Sequence, residues 1–250
     1  MAPKPGVAFF DLDKTLITRN SASLWIRFEL SSGRITRSQA VRAFGYVLRY
    51  SLGMTDLEDP IRRTVATLRG QSEERMRERA RVFYEKWLRS LYRPGAFEAI
   101  SWHRRRGDRL VLLTSSSNYV AELVSRDLGL DDFLSNRFEV DGEGRYTGRA
   151  FEPLCYGPGK LFLAREYAGR HGFSLADAWF YTDSHSDLPL LEEVGHPVAV
   201  HPDPRLRRTA HRRGWPAVAW GKRGVSPDGF GRASSAIRSG EDGDAVKGGG

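Results

Sequence analysis

Two aspartates, Asp11 and Asp13, stand one residue apart at the end of a short apolar run, Val7 to Phe10. In an extended chain alternate side chains point the same way, so both carboxylates can face one site. Bare carboxylates at the end of a buried strand are costly unless something positive pairs with them. A divalent cation is the obvious partner. An Asp-rich turn after a strand would look the same. Two further apolar runs end in polar clusters. Leu110 to Leu113 leads into Thr114-Ser115-Ser116-Ser117, and Ala178 to Tyr181 leads into Thr182-Asp183-Ser184-His185-Ser186-Asp187.

The elements that must position these clusters alternate. Ala96 to Arg106 has a helical pattern stopped by Gly107, and Tyr119 to Leu128 one stopped by Gly129. Lys160 to His171 and Leu188 to Val194 are further helices, and Pro197 to Val200 is a last strand. Phe138-Glu139-Val140 and Arg145-Tyr146-Thr147 flank Asp141-Gly142-Glu143-Gly144, a hairpin signature. Strands alternating with helices predict an α/β fold, a doubly wound parallel sheet covered on both faces. Such sheets bind ligands beyond the carboxyl ends of their strands, where all three polar clusters fall.

Between the first strand and this alternation lies a segment of another kind. From Ser21 to Arg93 the pattern is helical, with Leu24, Phe28, Val41, Phe44 and Leu48 at three- and four-residue steps. Ser72 with Glu73 and Glu74 marks a helix start. Met76, Ala80, Phe83, Trp87 and Leu91 then form one apolar stripe, and Pro94-Gly95 closes the segment. The net charge of +8 belongs here: residues 19–93 carry 16 Lys/Arg against 8 Asp/Glu, and the remainder cancels. The Arg-rich face opposite the stripe is, by default, solvated.

A chain of 250 residues with 40% hydrophobic and 28% charged content is a globular protein able to bury a full core. One cysteine, Cys155, excludes an intramolecular disulfide and suits the cytoplasm. It lies in a Pro/Gly-rich loop without an activating base nearby in sequence and reads as a bystander. The first residues lack the apolar stretch of a signal peptide, and no run approaches the ~18 apolar residues of a membrane span. From Arg223 onward Gly, Ser and charge dominate, so residues 221–250 are expected to form a disordered tail.

The motif set is similar to that of the haloacid dehalogenase (HAD) superfamily of phosphohydrolases. D-L-D-K-T resembles its D-x-D-x-T signature, and L-V-L-L-T-S its second motif, an apolar strand ending in Thr or Ser. Lys160 resembles the third-motif lysine at a helix start, and T-D-S-H-S-D the fourth motif of paired acids. The likeness covers about residues 7 to 218, and a helical insertion between the first two motifs resembles a type 1 cap. The chain is thereby identified as similar to the phosphoserine-phosphatase-like branch, subfamily IB. The resemblance implies a Rossmann-like core of residues 1–18 and 94–220 with a helical cap of residues 19–93.

It also implies a phosphatase acting on a small-molecule phosphate ester. Asp11 would attack phosphorus to give an aspartyl-phosphate, and Asp13 would protonate the leaving alcohol and then deprotonate the hydrolytic water. That role expects a raised pKa for Asp13. Mg²⁺ would take a carboxylate of Asp11, the backbone carbonyl of Asp13 and a carboxylate of Asp183. Asp187 would stand behind these ligands and hold the metal's waters. Thr114 through its hydroxyl, Ser115 through its N–H at a helix N-terminus, and Lys160 through its charge would bind the phosphoryl oxygens. His185 reads as a loop histidine.

Where phosphoserine phosphatases carry a glutamate seven residues after the second motif-one Asp, this chain has Asn20; where they often have Asn before the last motif-four Asp, it has Ser186. Asn20 therefore bears on substrate selectivity. Phosphoserine phosphatase proper remains an alternative. From other classes there remain a receiver-like regulatory domain, which needs neither the D-x-D pair nor a cap, and a basic nucleic-acid-binding module, for which no recognition motif is present.

Overall fold

The computed structural model describes residues 5–51 and 58–223. Its sheet is built around β1 (Val7–Phe10), flanked in parallel by β2 (Arg109–Ser117) and β6 (Trp179–Thr182), with Phe10 opposite Leu112 and Tyr181. β3 (Asp132–Asn136) extends one side, and β7 (His196–Val200) and β8 (Ala217–Val218) the other. The order β3-β2-β1-β6-β7-β8 is parallel throughout. Omitting the separate hairpin of β4 (Phe138–Val140) and β5 (Tyr146–Ala150), it is the doubly wound order that reverses direction at its central strand. The sheet is α/β, as the alternation predicts.

All four β1 side chains are buried, and they alternate between two cores. Val7 and Phe9 join Val111, Leu113 and Phe180 under α7 (Pro158–Arg170), α8 (Leu188–Leu191) and α9 (Pro204–Arg213). Ala8 and Phe10 face the other side with Leu110 and Leu112, under α5 (Pro94–Arg106) and α6 (Asn118–Leu128). A strand buried on both faces cannot show a period of two, which is why β1 reads as a continuous apolar run. Gly107 and Gly129 end α5 and α6 in left-handed conformations, φ 80° and 62°.

The inserted segment contains α1 (Ser21–Ser31), α2 (Arg37–Ser51), α3 (Glu58–Ala66) and α4 (Glu73–Phe83). Ser72 caps α4, accepting from the Arg75 N–H, and Met76, Ala80 and Phe83 are buried in line with the predicted stripe. Val41 departs from its pattern and is 70% exposed on α2. The hairpin of β4 and β5 joins this segment through the backbone: Gly70 N–H donates to Tyr146 O at 2.8 Å and Tyr146 N–H to Gln71 O at 3.0 Å.

Several boundaries differ from the sequence reading. Pro94 is the first residue of α5 rather than only a stop, because its fixed φ suits a helix N-terminus and it has no N–H to leave unpaired. β2 continues through Ser117, and α8 ends at Leu191. β3, α9 and β8 were not predicted. β3 alternates weakly and lies half-buried at the sheet edge, and α9, rich in Arg, buries little beyond Leu206, Thr209 and Ala210. The expected tail lies outside the described residues except for 221–223.

Candidate active site

The chain leaves β1 at Asp11, whose N–H continues the ladder to Tyr181 O at 2.9 Å. Asp13 stays extended, and the backbone then turns back at Lys14, which has a left-handed φ of 56°. This places Asp11 and Asp13 near one another beyond the carboxyl ends of the central strands. Asp183 follows β6 directly, and Asp187 arrives one helical turn later.

Lys160 ties these acids together. It lies in the first turn of α7, only 2% exposed, and its ammonium donates to Asp11 Oδ1 at 2.7 Å and to Asp187 Oδ2 at 2.8 Å. The burial excludes a solvated helix-start lysine. α7 can begin here because Gly159 has no side chain: a Cβ would stand 1.9 Å from the Leu154 carbonyl oxygen. Two threonines that the sequence reading left without a role complete the contacts. Thr15 Oγ1 donates to Asp11 Oδ2 at 3.3 Å, and Thr182 Oγ1 to Asp187 Oδ2 at 2.6 Å. Thr15 is the last letter of D-x-D-x-T and Thr182 the first of T-D-S-H-S-D, so the signal was in the motifs.

Asp13 is held from the other side by the start of α1. Ser21 donates its N–H to Asp13 Oδ1 at 2.7 Å and its hydroxyl to Oδ2 at 3.1 Å, and Asn20 Nδ2 donates to Oδ2 at 3.2 Å. Asn20 Oδ1 meanwhile caps α1, accepting from Ser23 N–H at 2.9 Å. Both ends of the Asn20 amide are thus engaged, one of them on Asp13.

Thr114 and Ser115 lie near the end of β2, beside Asp11's strand. Thr114 is buried, and its hydroxyl oxygen accepts from Ser116 N–H at 3.1 Å. Ser115 is still within the strand, three residues before α6, so its N–H is not at a helix N-terminus as expected. The strand register shifts between Thr114 and Ser117, which opens the backbone there, and Asn136 Nδ2 fixes Ser115 O at 2.7 Å. His185 opens a single 3-10 turn, His185–Asp187, and donates its backbone N–H to Asp203 Oδ2 at 2.8 Å. Cys155 is fully buried.

The electrostatics follow from burial. Desolvation pushes the Asp11 carboxyl up to about 7; Lys160 pulls against this, and Asp187 and Asp13 add to it. Desolvation also holds Asp183 well above the usual carboxylate range, with Asp11 reinforcing it and Lys14, 3.9 Å away, opposing it. Burial raises Asp13 too, against the stabilising hydrogen bonds from Ser21. For Lys160, burial favours the neutral amine, but Asp11 and Asp187 outweigh it and keep the ammonium charged.

More acids than cations converge here, and burial raises Asp11, Asp13 and Asp183 together, so added positive charge would be favourable. Hard oxygen donors so placed suit Mg²⁺. No three His, Cys, Asp or Glu side chains among the described residues form a ready-made cluster. The expected set needs only the carboxylates of Asp11 and Asp183, close enough for Asp11 to raise Asp183, with a backbone carbonyl of Asp13, an all-oxygen set whose chemistry fits a hard cation.

The family model for haloacid dehalogenase-like hydrolases matches residues 8–192, from β1 to α8, a range that contains Asp11, Asp13, Lys160, Asp183 and Asp187. The chain belongs to that family. It is an enzyme, a hydrolase. Among relatives, a Streptomyces azureus protein named for inhibition of morphological differentiation is 33% identical over 215 residues, 84% of this chain and 77% of its own length. A protein of Neisseria meningitidis serogroup C named histidinol-phosphatase is 28% identical over 216 residues, 85% of this chain and 97% of its own. A solved Bordetella pertussis protein of unknown function is similar with TM-score 0.77 and 28% identity, over 86% of this chain and 99% of its own. A phosphoserine phosphatase structure, at TM-score 0.65 and 18% identity over 95% and 99%, shares the fold. The fold of this hydrolase is thus phosphoserine-phosphatase-like, and no helix among its described residues is long and apolar enough to cross a membrane.

Proposed function

We propose that this hydrolase is a Mg²⁺-dependent phosphatase that cleaves a small phosphate monoester through an aspartyl-phosphate on Asp11. The observation that carries the reading is the Asp11 carboxylate at the end of the central strand, bonded by the buried Lys160 and the Thr15 hydroxyl. A carboxylate so fixed is oriented for attack and has little freedom still to lose.

Asp11 attacks phosphorus while the bond to the ester oxygen breaks, and Asp13 gives its proton to the departing alcohol. Asp13 then takes a proton from water as that water attacks phosphorus, freeing phosphate and restoring Asp11. Thr114, Ser115 and Lys160 supply donors and positive charge to the phosphoryl oxygens. Asp11, Asp183 and the Asp13 carbonyl would hold Mg²⁺, with Asp187 behind them; the ion supplies Lewis-acid charge against which the anionic ester can be approached. Burial of Asp13 favours the protonated form that an acid needs.

The helical segment of residues 19–93 acts as a cap and selects the alcohol, and the work is done in the cytoplasm. Asn20 touches Asp13, the group that meets the leaving oxygen, so it lies on the side where esters differ. A neutral amide there, with the cap's basic surplus, favours an alcohol that is uncharged or carries further negative charge. The test is kcat/KM with Mg²⁺ over a panel including phosphoserine, histidinol phosphate, glycerol phosphates and sugar phosphates. Hydrolysis of none would refute the phosphatase reading, and phosphoserine as best substrate would refute the reading of Asn20 alone.

A further inference from the structure

Arg93 is 6% exposed, and its guanidinium goes to backbone carbonyls rather than to a carboxylate. Nε donates to Lys14 O at 3.1 Å, and Nη1 donates to Gly221 O. Its own N–H donates to Leu16 O at 2.8 Å. We infer that Arg93 is a positioning residue for Asp13, holding the Asp13–Lys14 turn in the shape that presents the Asp13 carboxyl to the leaving group. The inference rests on the reading of Asp13 as acid and base.

Three contacts meet at this turn. Lys14 adopts a left-handed backbone conformation that a non-glycine residue keeps only where its surroundings impose it. Its N–H is fixed by Arg19 O at 3.1 Å and its carbonyl by Arg93, one on each side. Asp13, the residue before, is gripped by Ser21 and Asn20 at the front of α1. The turn is therefore braced between α1 and Arg93, and removing either brace frees one end of it.

Arg93 also stands where the helical segment joins the sheet. The two linkers run side by side: Thr18 N–H donates to Leu91 O at 2.9 Å, and Ile17 pairs with Tyr92. Arg93 follows directly on the paired linkers, with its guanidinium on Lys14 O. On its third side lies the stretch at Trp220 and Gly221, pinned to α5 by Gly95 N–H to Trp220 O at 3.2 Å. Gly95 has room for nothing larger, since a Cβ would lie 2.6 Å from the Trp220 ring.

A residue that only closed the hinge would slow every substrate alike. One that places the acid slows esters in proportion to their need for one. Nitrophenolate departs unprotonated, whereas an alkoxide requires a proton, so acid catalysis, about 10²–10⁴ in rate, matters chiefly for alkyl esters. The experiment compares kcat/KM, which reports steps through phosphoryl transfer to Asp11, for p-nitrophenyl phosphate and glycerol 2-phosphate.

Arg93→Met is expected to lose roughly tenfold or more on glycerol 2-phosphate beyond its loss on the aryl ester. Added guanidinium should restore part of that difference in Arg93→Ala. Equal losses on both esters, or none, would overturn the inference. Should Arg93→Met fail to fold by circular dichroism, Arg93→Lys carries the same comparison. Asp13→Asn separates the two levels. If it shows no leaving-group dependence, the acid–base reading fails and this inference with it; if it shows the dependence and the Arg93 variants do not, only this inference fails.

Discussion

The Lys160 ammonium bridges Asp11 and Asp187, at 2.7 and 2.8 Å, joining the end of β1 to the loop after β6 through a cation that water hardly reaches. Removing one partner from a buried charge cluster costs about 3–5 kcal/mol, because the remaining charges are left unpaired. Lys160→Met should therefore lower the unfolding free energy of the metal-free protein by that order, read as a fall in denaturant midpoint at an unchanged m-value, as well as abolish turnover. An unchanged midpoint would mean that Lys160 does not compensate these acids.

The metal makes a prediction about stability with a definite sign. Without it, Asp11 sits at about 7 through burial, and Asp183 is also well raised. An unfolded Asp titrates near 3.9, so the folded state binds more protons between these values. That stability is fully present below pH ~4 and is lost as pH rises through about 7. A divalent cation takes the deprotonated carboxylates and should stabilise more at the higher pH. The increment in Tm on adding Mg²⁺ to EDTA-treated protein should be larger at pH 7.5 than at pH 5. No increment at either pH would contradict the metal site.

Cys155 is expected to be chemically silent. It is buried, and desolvation pushes its thiol up to about 12. At pH 8 roughly one thiol in ten thousand is then ionised, and the thiolate is the reactive form. Iodoacetamide at pH 8 should leave the native enzyme unmodified and fully active, and alkylate it only in denaturant. Rapid loss of activity on native alkylation would give Cys155 a role that its surroundings deny it.

How far the sequence foretells this site depends on the kind of residue. Asp11, Asp13, Asp183 and Asp187 were legible because they follow apolar runs at fixed places in the order of elements, Lys160 only through the likeness of its helix start to a family motif, and the fold brings those places together. Thr15 and Thr182 stood within the same motifs but lacked a partner until the fold supplied one. Ser21 and Arg93 could not be read: a serine opening a helix and an arginine in an Arg-rich segment are ordinary there, and only the packing of α1 and the linkers onto the turn at Lys14 singles them out. The Ser115 N–H was misplaced because the residues after Leu113 look like a loop, whereas pairing with β3 carries the strand on to Ser117. β3 itself was missed for a related reason, since at a sheet edge its half-buried residues need no strict alternation.

The central claim is that Asp11 carries the phosphoryl group during turnover. Enzyme mixed with Mg²⁺ and a rapidly hydrolysed ester, quenched in acid within the first turnovers and digested for mass spectrometry, should show a phosphoryl adduct on the peptide containing Asp11, confined to that residue and absent from Asp11→Asn. The same variant should lose several powers of ten in kcat, since a carboxamide neither attacks phosphorus nor carries the charge of a carboxylate. A variant retaining a tenth of wild-type turnover, or an adduct on any other residue, would contradict the account.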